Sequence, residues 1–156
     1  MLGQEFTPPQ NTNLRDKSTK TVFLAGTIDM GKSEHWQQGF SETLRLNNLT
    51  VFNPRRSDWD TSWVQSIENP QFYQQVNWEL EHMDKADYIL MNFIGGSLSP
   101  ITLLELGLYA NSKKLHVICD EDFWRKGNVD IVCSKYNIPM HKTITHFLFA
   151  INTTNK

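Results

Sequence analysis

The sequence has little of what marks secreted, membrane or nucleic-acid-binding proteins. Its two cysteines, Cys119 and Cys133, form no CxxC pair, so we expect reduced thiols in a cytoplasmic protein. No apolar run approaches the roughly 20 residues that a membrane-spanning helix needs. The net charge of −2 lacks the basic surplus that nucleic-acid binding normally requires. The histidines are scattered without the spacing of a zinc site, so we predict no metal and no cofactor.

Two regions differ in composition. Residues 1–19 are polar and contain Pro8-Pro9, which is unlike a signal or transit peptide, and we expect a flexible leader. Residues 20–156 have enough apolar and aromatic side chains for a core, and we expect a single domain there.

From residue 21 onward, short apolar runs alternate with amphipathic segments. The apolar runs predict five strands, at residues 21–25, 49–52, 87–93, 115–119 and 138–140. The amphipathic segments predict helices at residues 33–47, 70–84, 101–112, 129–136 and 144–151, and in the second of them we expect Val76, Leu80 and Met83 to be buried. This alternation predicts an α/β fold with a mostly parallel sheet, covered on both faces, that binds ligands beyond the carboxyl ends of its strands.

A phosphate-binding motif is the first candidate site. Residues 26–33 match the pattern GxxxxGK[ST] between a strand and a helix, which is the context of a P-loop in a phosphotransferase or NTPase. Two features count against that interpretation: the loop has no inner glycine, and Asp29 would place a carboxylate in a cradle for anions. We favour the alternative that Gly26, Thr27 and Asp29 belong to a loop that contacts the substrate.

A single acid in an apolar helix is the second candidate. Glu105 lies in the run Leu-Leu-Glu-Leu-Gly-Leu, where an unpaired buried charge would cost several kcal/mol. The simpler interpretation is a glutamate on the solvent face of an amphipathic helix. Other acids precede or follow neighbouring strands, namely Glu79, Asp58 and Asp60. Converging carboxylates suit chemistry at an anomeric carbon, where one attacks or stabilises the carbon and another manages the proton of the leaving group.

Tryptophans accompany these acids. Four tryptophans are placed where an indole ring would stack on a nucleobase, although packing in the core or at its rim is the simpler explanation of each one taken alone. They are Trp59, Trp63, Trp78 and Trp124.

Six segments together resemble the nucleoside 2-deoxyribosyltransferase superfamily, in particular its deoxyribosyltransferase-like branch. Each segment is short, but their order and spacing are specific, and they run from residue 21 to about residue 140. They are Val22–Gly31, Asn53–Arg56 with Asp58-Trp59, Gln75–Glu79, Ala86–Leu90, Ser99–Gly107 and Phe123–Asp130.

This resemblance implies a flavodoxin-like three-layer sandwich and a covalent glycosyl-enzyme step. The nucleophilic glutamate of the family falls on Glu105, and its substrate-orienting acid falls on Glu79, where better-known members carry aspartate. The family's asparagine that reaches a sugar hydroxyl from a neighbouring subunit falls on Asn128, which implies a homo-oligomer with a shared active site.

The sequence departs from the family at two positions. Characterised members hold the nucleophile with a tyrosine where this chain has Phe23, and they contact the base with an aspartate where it has Ser99. The proton donor to the leaving base is therefore open among Glu79, Asp58 and Asp60.

Taken together, the sequence predicts an enzyme that cleaves or transfers the N-glycosidic bond of a nucleoside or its monophosphate. Asp58 and Trp59 would shape the base pocket. Basic side chains that are candidates to bind a 5′-phosphate are Lys32, Arg55, Arg56 and Arg125, although solvated surface charge is the simpler interpretation of all four. Two alternatives remain beside this one: the P-loop phosphotransferase, and a nucleotide-sensing module that binds without turnover.

Overall fold

The structure is a computed structural model that describes residues 2–28 and 34–154. Its strands are β1 Glu5–Phe6, β2 Thr21–Gly26, β3 Thr50–Phe52, β4 Tyr88–Phe93, β5 Leu115–Cys119 and β6 Met140–His141. Its helices are α1 Trp36–Leu46, α2 Pro70–Lys85, α3 Pro100–Tyr109, α4 Lys126–Tyr136 and α5 Ile144–Thr154. None of the helices in this part of the chain is long and apolar enough to cross a bilayer.

The strands form one open sheet in the order β1-β3-β2-β4-β5-β6. The pairs β1–β3, β2–β3, β4–β5 and β5–β6 are all parallel. The predicted α/β class with a parallel, flavodoxin-like sheet is therefore confirmed, but the predicted count of five strands was wrong. The sixth strand is β1, a two-residue strand too short to leave an apolar pattern in the sequence.

The chain divides into two compact units, one of residues 1–24 and 28–87 and the other of residues 25–27 and 88–156. In the first unit, β3 pairs with β2 on one side and with β1 on the other. The side chains of β3 are all buried, and so are the first five of β2, because both strands have partners or packing around them. Strand β1 lies within the segment 1–19, and Thr12 and Thr19 of the same segment are buried as well.

An aspartate ties the beginning of β2 to the end of α2. Asp87 Oδ2 accepts hydrogen bonds from Thr21 N and Thr21 Oγ1 at 2.8 and 3.0 Å, and Lys20 Nζ lies 3.1 Å from Asp87 Oδ1. Desolvation alone would raise the pKa of Asp87, but the hydrogen bonds from Thr21 and Lys20 outweigh it and the pKa is lowered. The carboxylate therefore stays charged at the place where it caps the strand.

Helix α2 buries a different face from the one predicted. Of the expected stripe only Met83 is buried, whereas Val76 and Leu80 are half-buried. The buried face instead includes Gln75, Trp78 and His82. Gln75 and His82 are polar and are tolerated there because they have hydrogen-bond partners. His82 bonds to the Trp78 carbonyl oxygen at 2.7 Å and to Thr12 Oγ1 at 3.1 Å.

The second unit holds the other three strands and three of the helices. In its core, Phe147 of α5 packs edge-on against Tyr88, His116 and His141. The two histidines, on neighbouring strands β5 and β6, share a hydrogen bond of 2.9 Å between His116 Nδ1 and His141 Nε2. Both cysteines, Cys119 and Cys133, are free thiols.

The histidine pair makes the stability of the protein depend on pH. Burial and the neighbouring His141 lower the pKa of His116 to about 4, and burial and His146 lower the pKa of His141. A histidine with a lowered pKa stabilises the fold above its unfolded-state pKa, and this contribution is lost as the pH falls through the interval from about 6.5 to about 4.

We therefore expect the free energy of unfolding to fall by about 1–2 kcal/mol between pH 7.5 and pH 5 because of His116. Urea denaturation at the two pH values measures it, and His116→Gln should remove most of this pH dependence. The exposed His35 gives a matched control, His35→Gln, that should retain it. Equal pH dependence in His116→Gln and the wild type would contradict the assignment.

Candidate active site

Helix α3, in the second unit, buries its one acidic residue and exposes apolar ones. Glu105 is 8% exposed and lies on the inward face with Thr102, Leu106 and Tyr109. The simpler interpretation of the sequence, a glutamate on the solvent face, is therefore excluded. The outward face carries large apolar side chains more than half exposed, namely Ile101, Leu104 and Leu108.

The helix begins in a strained conformation. Ser99 is its N-cap residue, and Pro100 follows in the first turn. Ser99, however, has a φ of 48° in the left-handed region, which non-glycine residues seldom adopt. Its side chain makes no capping bond and instead lies 2.9 Å from Ser97 Oγ. A buried serine held at positive φ is the kind of local strain that the surrounding structure must impose.

Glu79, in the first unit, is a glutamate with an unusual proton affinity. Burial raises the pKa of its carboxyl to about 7, against a partial lowering by a hydrogen bond from Gln75 Nε2 to Glu79 Oε1 at 2.7 Å. The same Nε2 donates to the Pro54 carbonyl oxygen at 2.9 Å. Glu79 is a half-buried residue, and its carboxyl is half-protonated near neutral pH. The amide of Gln75 connects this carboxyl to the loop after β3.

The two loop aspartates are different in character from Glu79. Asp58 accepts a forked pair of hydrogen bonds from Arg56, Nε to Oδ1 at 2.7 Å and Nη2 to Oδ2 at 3.0 Å, and this pair lowers its pKa. Hydrogen bonds from Ser62 lower the pKa of Asp60. Both carboxyls are exposed and stay ionised at neutral pH.

Aromatic rings cluster in the same loop. The rings of Trp59 and Trp63 lie 5.0 Å apart, and the Arg56 guanidinium lies 4.9 Å from the centre of the Trp63 ring. Within the described residues, two buried nitrogens here lack a hydrogen-bond partner, Trp59 Nε1 and Arg56 Nη1.

The predicted basic residues of this loop are buried beside a cavity. Arg55 and Arg56 are 8% and 9% exposed, and Arg55 Nη1 donates to the Glu34 carbonyl oxygen at 2.9 Å and to Gln37 Oε1 at 3.3 Å. Desolvation lowers the pKa of Arg55. The cavity has a volume of about 390 Å³, and both arginines line it together with Thr7, His35, Asn53 and Ser57.

In the second unit, the remaining candidates lie on or before α4. Trp124 is half exposed, and its indole nitrogen donates to the Leu98 carbonyl oxygen at 3.0 Å, next to the start of α3. The Arg125 guanidinium lies 4.3 Å from the centre of the Trp124 ring. Asn128 is exposed in the first turn of α4.

The glycine-rich segment is only partly described. Gly26 is the last residue of β2, and Thr27 is 6% exposed. Residues 29–33 of the P-loop-like motif, which include Asp29 and Lys32, lie outside the described residues. In the part of the chain that is described, no group of three or more His, Cys, Asp or Glu side chains could hold a metal ion.

Several predicted residues of the first unit come together. Pro54 joins the segment of Arg55, Asp58 and Trp59 to Glu79 through the amide of Gln75. Sequence reasoning missed Gln75 as a functional residue, although its place four residues before Glu79 on a helix is the spacing at which side chains meet. Phe23, at the position where the resemblance implies a tyrosine, is buried with the centre of its ring 6.4 Å from that of Trp78.

The sequence profile of one family, described as nucleoside 2-deoxyribosyltransferase like, matches residues 19–123, or about two thirds of the chain. The chain belongs to the nucleoside 2-deoxyribosyltransferase-like family. The match includes β2 to β5 and both Glu79 and Glu105, and it ends before Asn128. No curated protein matches the chain. The predicted family is therefore confirmed, and the description of the family points to an enzyme that acts on nucleosides.

The Arg56–Asp58 pair gives a test of the loop geometry. Asp58→Ala should lower the free energy of unfolding by about 1 kcal/mol, because it leaves the buried Arg56 guanidinium without its carboxylate partner. The loss should not be larger, because the Asp58 carboxylate is exposed and solvent already screens the pair. Chemical denaturation measures the loss. Asp60→Ala removes an exposed carboxyl from the same loop and should have the smaller effect, so a larger loss in that variant would contradict the described pairing.

Proposed function

We propose that the protein cleaves or exchanges the N-glycosidic bond of a (deoxy)nucleoside or its monophosphate, with Glu105 as nucleophile. The observation that carries this proposal is the burial of Glu105. A helix that turns its one carboxylate inward and exposes Ile101, Leu104 and Leu108 reverses the usual placement of charged and apolar side chains on a surface helix. Together with the family match across this helix, that arrangement favours a chemical role.

In the proposed reaction, one carboxylate oxygen of Glu105 bonds to C1′ of the sugar as the bond from C1′ to the base nitrogen breaks. The electron pair of the broken bond stays on the base, which takes a proton from the Glu79 carboxyl. A second base or water then attacks C1′ and displaces the Glu105 carboxylate, and the proton released by this nucleophile returns to Glu79. Attack by a second base gives transfer, and attack by water gives hydrolysis.

Among the three candidate proton donors, Glu79 has the protonation state that the step needs. A pKa of about 7 leaves a large fraction of Glu79 protonated at neutral pH, which suits a general acid. Asp58 and Asp60 have lowered pKa values and no proton to give at that pH. We therefore assign proton transfer to Glu79 and the shaping of the base pocket to Asp58 and Trp59.

The remaining predicted residues are proposed to bind the substrate. Gly26 is the last residue of β2, Thr27 and Asp29 come after it in the sequence, and Ser99 precedes the helix of the nucleophile. Arg55 lines the cavity of the first unit, where a buried guanidinium would bind a phosphate if the substrate is a nucleotide.

We further propose a homo-oligomer in which Asn128 reaches the site of a neighbouring subunit. The exposure of Asn128 is what such a role requires, and the apolar outer face of α3 offers a surface for a second copy of the chain.

Replacement of the nucleophile gives the sharpest test. Glu105→Gln keeps the size of the side chain but removes the attacking charge, and we expect kcat to fall at least about a thousandfold. The measurement is chromatography of free base and new nucleoside, after incubation of the protein with each deoxynucleoside and each 5′-monophosphate, with and without a second base.

Glu81→Gln, at an exposed position on the helix of Glu79, is the matched control and should keep wild-type activity. Free base alone in the wild type would indicate hydrolysis, and a new nucleoside would indicate transfer. Full activity in Glu105→Gln, or no turnover of any substrate by the wild type, would overturn the proposal.

The role of Glu79 predicts a pH dependence. Because the step uses the protonated carboxyl, kcat/KM should decline above about pH 7. This alkaline limb should disappear in Glu79→Gln, with kcat reduced by about 100-fold or more. Initial rates from pH 5.5 to 9 measure the profile, and an unchanged limb in Glu79→Gln would assign the titration to another group.

A further inference from the structure

We propose that Gln75 is a positioning residue, whose amide holds the Glu79 carboxyl in the orientation and protonation state that proton transfer to the base requires. This inference rests on the proposed function of Glu79. Gln75 itself is 3% exposed, so it acts on the substrate only through its neighbour.

The hydrogen bonds of Gln75 are the first argument. A side-chain amide nitrogen has two protons, and those of Gln75 go to the Pro54 carbonyl oxygen at 2.9 Å and to Glu79 Oε1 at 2.7 Å. Both protons of Gln75 Nε2 are therefore used in hydrogen bonds, and the nitrogen can donate to no further acceptor. The carboxyl of Glu79 is thereby fixed relative to the end of β3, from which the loop with Asp58 and Trp59 begins.

The unused end of the amide is the second argument. Gln75 Oε1 is buried and has no hydrogen-bond partner among the described residues. The amide cannot turn over to relieve this, because its oxygen would then face the Pro54 carbonyl and the Glu79 carboxylate, which are both acceptors. A bond to Pro54 alone would serve to anchor the helix. A buried carbonyl oxygen without a hydrogen-bond partner lowers the stability of the fold, so a residue that carries one needs a functional explanation. We infer that the explanation is the hydrogen bond that the same amide donates to Glu79.

The electrostatics around Glu79 are the third argument. Burial raises the pKa of Glu79, and the hydrogen bond from Gln75 opposes that rise by stabilising the carboxylate. The titratable groups near Glu79 in the chain have other partners. On α2, Glu81 pairs with Lys85, and His82 bonds to Thr12 and Trp78. In the loop after β3, Arg55 donates to Gln37 and to the Glu34 carbonyl oxygen, and Arg56 pairs with Asp58.

The consequence is that Gln75 keeps the carboxyl of Glu79 from becoming too weak an acid. A carboxyl with a much higher pKa would remain protonated but would give up its proton poorly to the base, and it would be slow to act as the base in the second step. The amide thus supports both directions of proton transfer.

The test is Gln75→Met, which has a similar size and no donor. Glu79 is titrated by NMR in protein with ¹³C-labelled glutamate carboxyls, its signal being assigned by its loss in Glu79→Gln. We expect the pKa of Glu79 to rise by about one unit, the alkaline limb of kcat/KM to move up equally, and kcat to fall roughly tenfold. Gln74→Met, at the exposed neighbouring position, should leave the pKa, the limb and kcat unchanged.

A role limited to anchoring α2 would lower the melting temperature of Gln75→Met without moving the titration or the limb, and that result would overturn the inference. If Gln75→Met does not fold, Gln75→Leu provides the second variant, because it also removes the donor and should raise the pKa of Glu79 in the same direction. The two proposals can also fail separately. If the titration of Glu79 shifts in Gln75→Met but the wild type turns over no nucleoside, the effect of Gln75 on Glu79 is supported and the proposed function is refuted.

Discussion

The two hydrogen bonds of the Gln75 amide connect the parts of the first unit on which the proposed chemistry depends. They join α2, which carries Glu79, to Pro54, where β3 ends and the arginine- and tryptophan-containing loop begins. A buried amide is suited to this task because it brings no charge of its own into a desolvated region. The carboxyl beside it can therefore keep a proton near neutral pH while its position stays fixed.

The same contrast between burial and exposure separates the acids of this protein. The Glu79 carboxyl is desolvated and half-protonated near neutral pH, whereas Asp58 and Asp60 lie at the surface with hydrogen bonds that favour their charged forms. Enzymes that break glycosidic bonds commonly rely on such a division, in which two carboxyls of the same chemical type have different protonation states because their surroundings differ.

Much of the fold could be predicted because apolar runs and amphipathic periods are properties of the sequence itself. The strands β2 to β5 and all five helices follow from them, with boundaries displaced by a few residues. Strand β1 could not be predicted, since two residues carry no period. The buried face of α2 was also misjudged: hydropathy favours Val76 and Leu80, but Gln75 and His82 occupy the interior because the fold supplies their hydrogen-bond partners. The candidate acids were visible in the sequence, whereas their protonation states and the left-handed Ser99 depend on contacts and backbone geometry that residue spacing does not reveal.

The two free thiols have a practical consequence for the study of this protein. Burial raises the pKa of Cys119 and of Cys133 to about 11, so at neutral pH almost none of either side chain is thiolate, the form that reacts with alkylating reagents. A cysteine introduced at an exposed surface position would react far faster than either native one. Fluorophores or spin labels can therefore be attached at a single chosen position without first replacing the natural cysteines.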